Sequence, residues 1–215
     1  MDARSLASAE RADLAGFCRT LDSAEWERPS LCEGWRVRDV VAHLLQVDDV
    51  GLHRHVVDFI RCGFGIDRFN ALGVERHASW STEQIVVTLE RQIELGWLSR
   101  TRRGLPCLAE TVIHHQDVRR ALGRPRTIPA ERLIATLGAP DTFTGSAKRA
   151  RGLRFVATDL EWSRGEGLEV RGPAEAIVMA LAGRRSVLGE LTGEGKAVLS
   201  ERFSGPSGPG PGGIL

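Results

Sequence analysis

Between Val37 and Val47 the apolar residues return every third or fourth position, as Val37, Val40, Val41, Leu44, Leu45 and Val47. Only an α-helix lines such positions up on one stripe, and a stripe of that width has to be buried against neighbouring elements. The pattern predicts a helix from about Val37 to Arg61, ended by Gly63 and Gly65. Three more segments behave alike. Residues 5–22 carry Leu6, Leu14, Phe17, Cys18 and Leu21 on one side. Ser81 is an N-cap with Glu83 and Gln84 in the first turn behind it, which starts a helix over roughly 82–101. Residues 107–122 make the fourth, with Gly123 as its stop and Pro125 beyond. Four helices of this length on modest loops predict a mainly α protein built on a four-helix bundle, placed at residues 1–145. Residues 66–79 read as a polar connection, and Pro129 opens a short helix at about 130–138.

The texture changes after about residue 150. Leu153–Ala157 and Leu168–Val170 are short strand patterns with a Gly165–Gly167 turn between them. Gly172 and Pro173 then open a helix over Ala174–Leu181, ended by Gly183, and residues 186–203 hold another short helix or strand. Residues 150–203 are therefore expected to form a small α+β domain, too small to bury much core alone. The last stretch, 204–215, is Gly-, Pro- and Ser-rich and is expected to be a disordered tail.

Composition narrows the function classes. With 29 basic against 28 acidic residues the net charge is +1, which gives no electrostatic case for nucleic acid or an anionic membrane surface. No segment approaches the roughly 18 apolar residues of a membrane helix. The first residues, MDARSLASAERADL, are too polar for a signal-peptide core, so a cytoplasmic protein is expected. Cys18, Cys32, Cys62 and Cys107 are widely spaced and form neither a zinc-knuckle pattern nor a disulfide framework; buried free thiols are the default. All basic residues but Lys148 and Lys196 are arginine, which fits a GC-rich genome or guanidinium forks for substrate carboxylates.

The chemistry concentrates in LAETVIHHQDVRRALG. Glu110 and His114 are i and i+4, the spacing by which one helix face offers two ligands to one ion. Val118 and Ala121 continue that face, so it points inward, where a carboxylate and an imidazole need partners. His43 lies between Val40 and Val47 on its own helix and is the candidate third ligand. Two imidazoles and a carboxylate make a frequent zinc set with a coordination position left open, and nickel, iron or manganese accept the same donors. Against this stands the plainer possibility of core histidines satisfied by hydrogen bonds. His115 points about 100° from His114 and is not expected to be a ligand. His53 and His55 are read as surface residues, and His77 as a loop residue whose part the sequence does not disclose. Asp117 either orients a ligand or pairs with Arg119 or Arg120.

Three segments together carry a family resemblance. LCEGWRVRDVVAHLLQVDD resembles the start of the second helix in the mycothiol-dependent maleylpyruvate isomerase branch of the DinB-like superfamily, with Gly34, Trp35 and His43 in step. ETVIHHQDVRRALGRP resembles its second signature at Glu110, His114, Asp117, Arg120 and Leu122. LEVRGPAEAIVMALAGR resembles its small C-terminal domain at Gly172, Pro173 and Leu181–Arg184. The match runs over about residues 1–203.

The resemblance implies a DinB-like bundle with a divalent metal, zinc first, on His43, Glu110 and His114, and mycothiol as the thiol cofactor. Arginine richness agrees with an actinobacterial source. A thiol bound to a metal loses its proton. Such a thiolate adds to a cis double bond of a maleylpyruvate-like substrate, the bond rotates, and expulsion leaves the trans isomer. In thiol S-transfer it attacks an electrophile and stays attached. The expected partners are thus a small thiol and a small electrophilic or dicarboxylate substrate, with the chain a monomer or homodimer. The alternative is a non-catalytic or regulatory member with structural zinc, which a fourth protein ligand such as Asp117 or His115 would favour.

Overall fold

The computed structural model describes residues 2–94, 104–139 and 145–203. It divides into two compact units, one ending at Arg126 and the other starting at Thr127.

The first unit is helical: α1 (Ala3–Cys18), α2 (Ser23–Glu27), α3 (Val37–Asp49), α4 (Leu52–Arg61), α5 (Ile66–Arg76), α6 (Thr82–Arg91) and α7 (Leu105–Leu122). Local chemistry sets the ends. Asp2 caps α1 through Ser5 N–H, and reciprocal Asp22–Glu25 and Ser81–Gln84 capping boxes open α2 and α6. Gly104 (φ 80°) precedes α7, Pro106 sits in its first turn, and Gly123 (φ 67°) closes it in the left-handed conformation that glycine takes without penalty. α1 and α3 each pack on both α6 and α7, which closes a four-helix bundle, and α5 lies against α3. Leu14, Val37, Val40, Val41, Leu44, Leu45, Ile85, Leu89 and Val118 fill the interior.

Three helical expectations are corrected. The helix predicted over 37–61 is two, because Val50 is extended (ψ 148°) and Gly51 starts α4. Asp48 and Asp49 place negative charge at the carbonyl end of α3, and no basic residue offsets it in the last turn. The segment 66–79 is not a connection but contains α5, whose buried face is Phe69, Asn70 and Gly73. Gln46 passes directly over Gly73, where a Cβ would collide with its side chain, and Gln46 Nε2 donates to Phe69 O at 3.0 Å. The helix read over 82–101 is described only as α6; residues 95–101 lie outside the described residues, as does the tail 204–215.

The second unit holds α8 (Ala130–Leu137), α9 (Ser146–Ala150), β1 (Leu153–Ala157), β2 (Ser163–Gly165), β3 (Leu168–Gly172), α10 (Ala174–Leu181), a 3-10 turn over Arg185–Glu190 and α11 (Gly195–Glu201). The sheet order is β2-β1-β3, with β1 antiparallel to β2 and parallel to β3, in the register Phe155 to Val170. Phe155, Val170, Ile177, Met179 and Leu199 are buried, and Asp159 accepts Ala174 N–H at the start of α10. The helix expected at 130–138 lies beyond the helical unit, which ends at Arg126 rather than at residue 145. As α8 it packs on α10 and groups with the second unit. No helix among the described residues is long and apolar enough to cross a membrane.

Candidate metal centre

The centre lies wholly in the first unit. Arg36 N–H donates to Asp39 Oδ2 at 2.9 Å and starts α3, whose inner stripe carries His43. On α7 the i, i+4 spacing sets Glu110 and His114 one turn apart. All three are buried. His43 Nε2 is 3.1 Å from Glu110 Oε1, and the two imidazole rings meet edge to face at 5.1 Å between centroids. One ligand atom from each of His43, Glu110 and His114 lies within 4.8 Å of the others. The sequence-predicted trio is thus brought together across 67 residues of chain.

The donor set fits a divalent ion. Two imidazoles and a carboxylate are accepted by zinc and its neighbours. His43 Nδ1 is buried with no hydrogen-bond partner among the described residues. Two imidazoles and a carboxylate gathered in an apolar interior are costly to bury, and a cation held between their facing atoms would offset that cost. Asp117 Oδ2 accepts from His114 Nδ1 at 2.9 Å, which fixes the Nδ1–H tautomer and leaves the Nε2 lone pair for coordination. Asp117 is thus placed where it could orient His114.

The other histidines sort as follows. His115 is not in the trio: Nδ1 meets Glu10 Oε1 at 2.9 Å and Nε2 accepts from Arg119 Nε at 2.8 Å. Burial pushes the His115 imidazole down to about 4 despite the Glu10 hydrogen bond. Burial raises the Glu10 carboxyl, but hydrogen bonds from His115 and Arg126 outweigh it and hold the group at about 2. His53 is exposed as expected, whereas His55 is buried against Phe69, contrary to its reading as a surface residue. α4 rests one side on α5, and the i, i+2 spacing that separates His53 from His55 turns the second one inward. His77, read as a loop residue, is buried at the end of α5, with Nδ1 on Gly73 O and Nε2 on Asp49.

Two residues beside the centre escaped the sequence reading. Cys32 Sγ donates to Asp117 Oδ2 at 3.1 Å and lies 3.6 Å from His114 Nδ1. Arg11 is buried, pairs with Asp48 at 2.8 Å and donates to Gln92 O. Its guanidinium is disfavoured by burial but favoured by Cys107, Asp48 and Glu110. A signal existed for Arg11, a charge on the stripe Ala7, Arg11, Leu14, Cys18 of α1; for Cys32 there was only its place in the Gly-Trp segment.

Fold and site together define a class: a helical-bundle protein with a buried two-histidine, one-carboxylate centre, carrying a small α/β unit after the bundle. Residues 7–57 match the family model described as the mycothiol maleylpyruvate isomerase N-terminal domain. Two solved structures share the fold, the crystal structure of the mycothiol-dependent maleylpyruvate isomerase and that of its histidine-to-alanine mutant. Each has a TM-score of 0.53 and 15% sequence identity, covering 97% of this chain and 95% of that chain. No curated protein matches the chain in sequence.

Proposed function

We propose that the chain is a metal-dependent enzyme that uses mycothiol as a nucleophile on a small electrophilic substrate, either isomerising a maleylpyruvate-like cis double bond or transferring the sulfur. The observation that carries this is the convergence of His43, Glu110 and His114 on one buried point inside the bundle. A divalent ion held there, zinc first, would lower the pKa of a thiol bound to it. The side chains do the remaining work. His43, His114 and Glu110 would hold the ion, and Asp117 would keep His114 in one tautomer. Trp35 covers His43 at 5.1 Å between ring centroids and helps keep water from the centre. The reading as structural zinc called for Asp117 or His115 as a fourth ligand. Asp117 faces His114 Nδ1 and His115 is held by Glu10 and Arg119, which supports the catalytic reading instead.

Purified protein should carry about one divalent ion per chain, as three-ligand catalytic sites do. Occupancy should collapse in His43→Ala, Glu110→Ala and His114→Ala and persist in His53→Ala and His115→Gln. With Co(II) in place of the native ion, mycothiol should add a sulfur-to-cobalt charge-transfer band that strengthens as pH rises, since binding releases the thiol proton. A cobalt spectrum indifferent to millimolar mycothiol, with cobalt bound, would favour a structural metal and sink the enzyme reading.

A further inference from the structure

The segment between α2 and α3 touches both histidines of the centre. Trp35 leans on the His43 ring. Three residues earlier, Cys32 reaches 85 residues along the chain to Asp117, the carboxylate that holds His114. The segment is itself held in one conformation. Ser30 Oγ donates to Trp35 O at 2.8 Å and accepts Cys32 N–H at 3.0 Å. Trp35 N–H donates to Cys32 O at 3.0 Å, and Gly34 (φ 79°) makes the tight return, a conformation other residues disfavour. Leu31 N–H donates to the backbone carbonyl of Asp117 at 3.3 Å, so main chain as well as side chain docks on α7 at this residue.

We propose that Cys32 is a positioning residue of the metal centre, its S–H fixing the Asp117 carboxylate that in turn fixes His114. A buried cysteine is by default a small apolar filler, but a filler needs no aligned partner, and here sulfur lies 3.1 Å from Asp117 Oδ2. An ionised carboxylate only accepts, so the thiol is the donor. Oδ2 therefore receives two hydrogen bonds from different directions, one from His114 on its own helix and one from Cys32 on the loop. The donor from the loop narrows the carboxylate's rotation about its side-chain torsions, and with it the freedom of the imidazole it holds. A ligand held in its binding orientation before the ion arrives loses less entropy on coordination. The proposal rests on reading His43, Glu110 and His114 as a metal centre.

The test uses the full chain as Cys32→Ala, Cys32→Ser, Asp117→Ala, the Cys32→Ala/Asp117→Ala double variant and His43→Ala. Metal affinity is read by chelator competition and ligand geometry by the Co(II) d–d spectrum, with the metal-free thermal midpoint recorded for each. Cys32→Ala should weaken metal binding about tenfold, the lower end of what partners behind a ligand contribute, and broaden the cobalt bands. Cys32→Ser should recover most of the affinity, because a hydroxyl can donate to the same oxygen. The double variant should bind no more weakly than Asp117→Ala, since the proposed effect of Cys32 on the ion runs through Asp117. Additive losses, equal behaviour of the Ser and Ala variants, or wild-type affinity in Cys32→Ala would overturn the proposal. If His43→Ala loses the ion while Cys32→Ala binds as wild type, this proposal alone fails; if the wild type itself binds none, the metal centre fails first.

Discussion

Glu10 and His115 face each other in the interior; burial lowers the His115 imidazole, whereas hydrogen bonds from His115 and Arg126 lower the Glu10 carboxyl against the burial that would raise it. The folded protein keeps His115 unprotonated down to about 4 against an ordinary 6.5. The unfolded chain takes up that proton first, so stability is lost as pH falls from 6.5 to about 4. Glu10 stays ionised down to about 2 against an ordinary 4.5, and its contribution is present above 4.5 and lost between 4.5 and about 2. Both therefore make the protein weaker in acid, by up to roughly 3 kcal/mol for each group at 1.36 kcal/mol per pKa unit, less where the two are coupled. Thermal midpoints of metal-free protein across pH should show this, and the slope between pH 6.5 and 4 should be shallower in His115→Gln. Equal slopes for wild type and variant would mean that His115 titrates in the folded state as freely as in solution.

At the scale of elements, α5 owes its position to Gly73, the residue over which Gln46 reaches Phe69 O. Gly73→Ala should destabilise the protein by about 1–3 kcal/mol, the usual cost of overpacking a filled interior, although alanine is the better helix former. A lowered urea midpoint with an unchanged slope checks this; a rise would mean that helix propensity outweighs the collision. The same helix explains what could be read in advance. α3 was legible because a long apolar stripe announces it, α7 because a glycine stop and a following proline bound it, and the Glu110–His114 spacing because it repeats with the helix itself. α5 was not, since its inner face uses Asn70 and Gly73 where a stripe has Leu or Val. β2 was equally silent: Ser163, Arg164 and Gly165 are all exposed, and the strand exists only through pairing with β1. Cys32 is joined to the centre by a hydrogen bond to Asp117, and Arg11 by its charge near Glu110, across distant parts of the chain that no local pattern encodes.

For the molecule as a whole, the division at Arg126 and Thr127 puts every member of the centre in the first unit. A ligand that binds only the folded state stabilises whatever unfolds together with its site, by about 4 kcal/mol when free ligand stands at a thousand times its dissociation constant. Each unit has its own buried core, Leu14, Val41, Leu45 and Leu89 in the first and Phe155, Val170, Ile177 and Leu199 in the second. Differential scanning calorimetry of the full chain should therefore resolve two transitions. Loading with Zn(II) should raise the one that belongs to the helical unit and leave the other in place, and a chelator should reverse the shift. The assignment can be made with Gly73→Ala, which should lower the metal-sensitive transition, and Phe155→Ala, which should lower the insensitive one by removing a buried aromatic side chain at about 3–5 kcal/mol. A single transition that moves with metal and with both substitutions would mean that the two cores unfold as one cooperative block, and the thermodynamic boundary would then not follow the structural one.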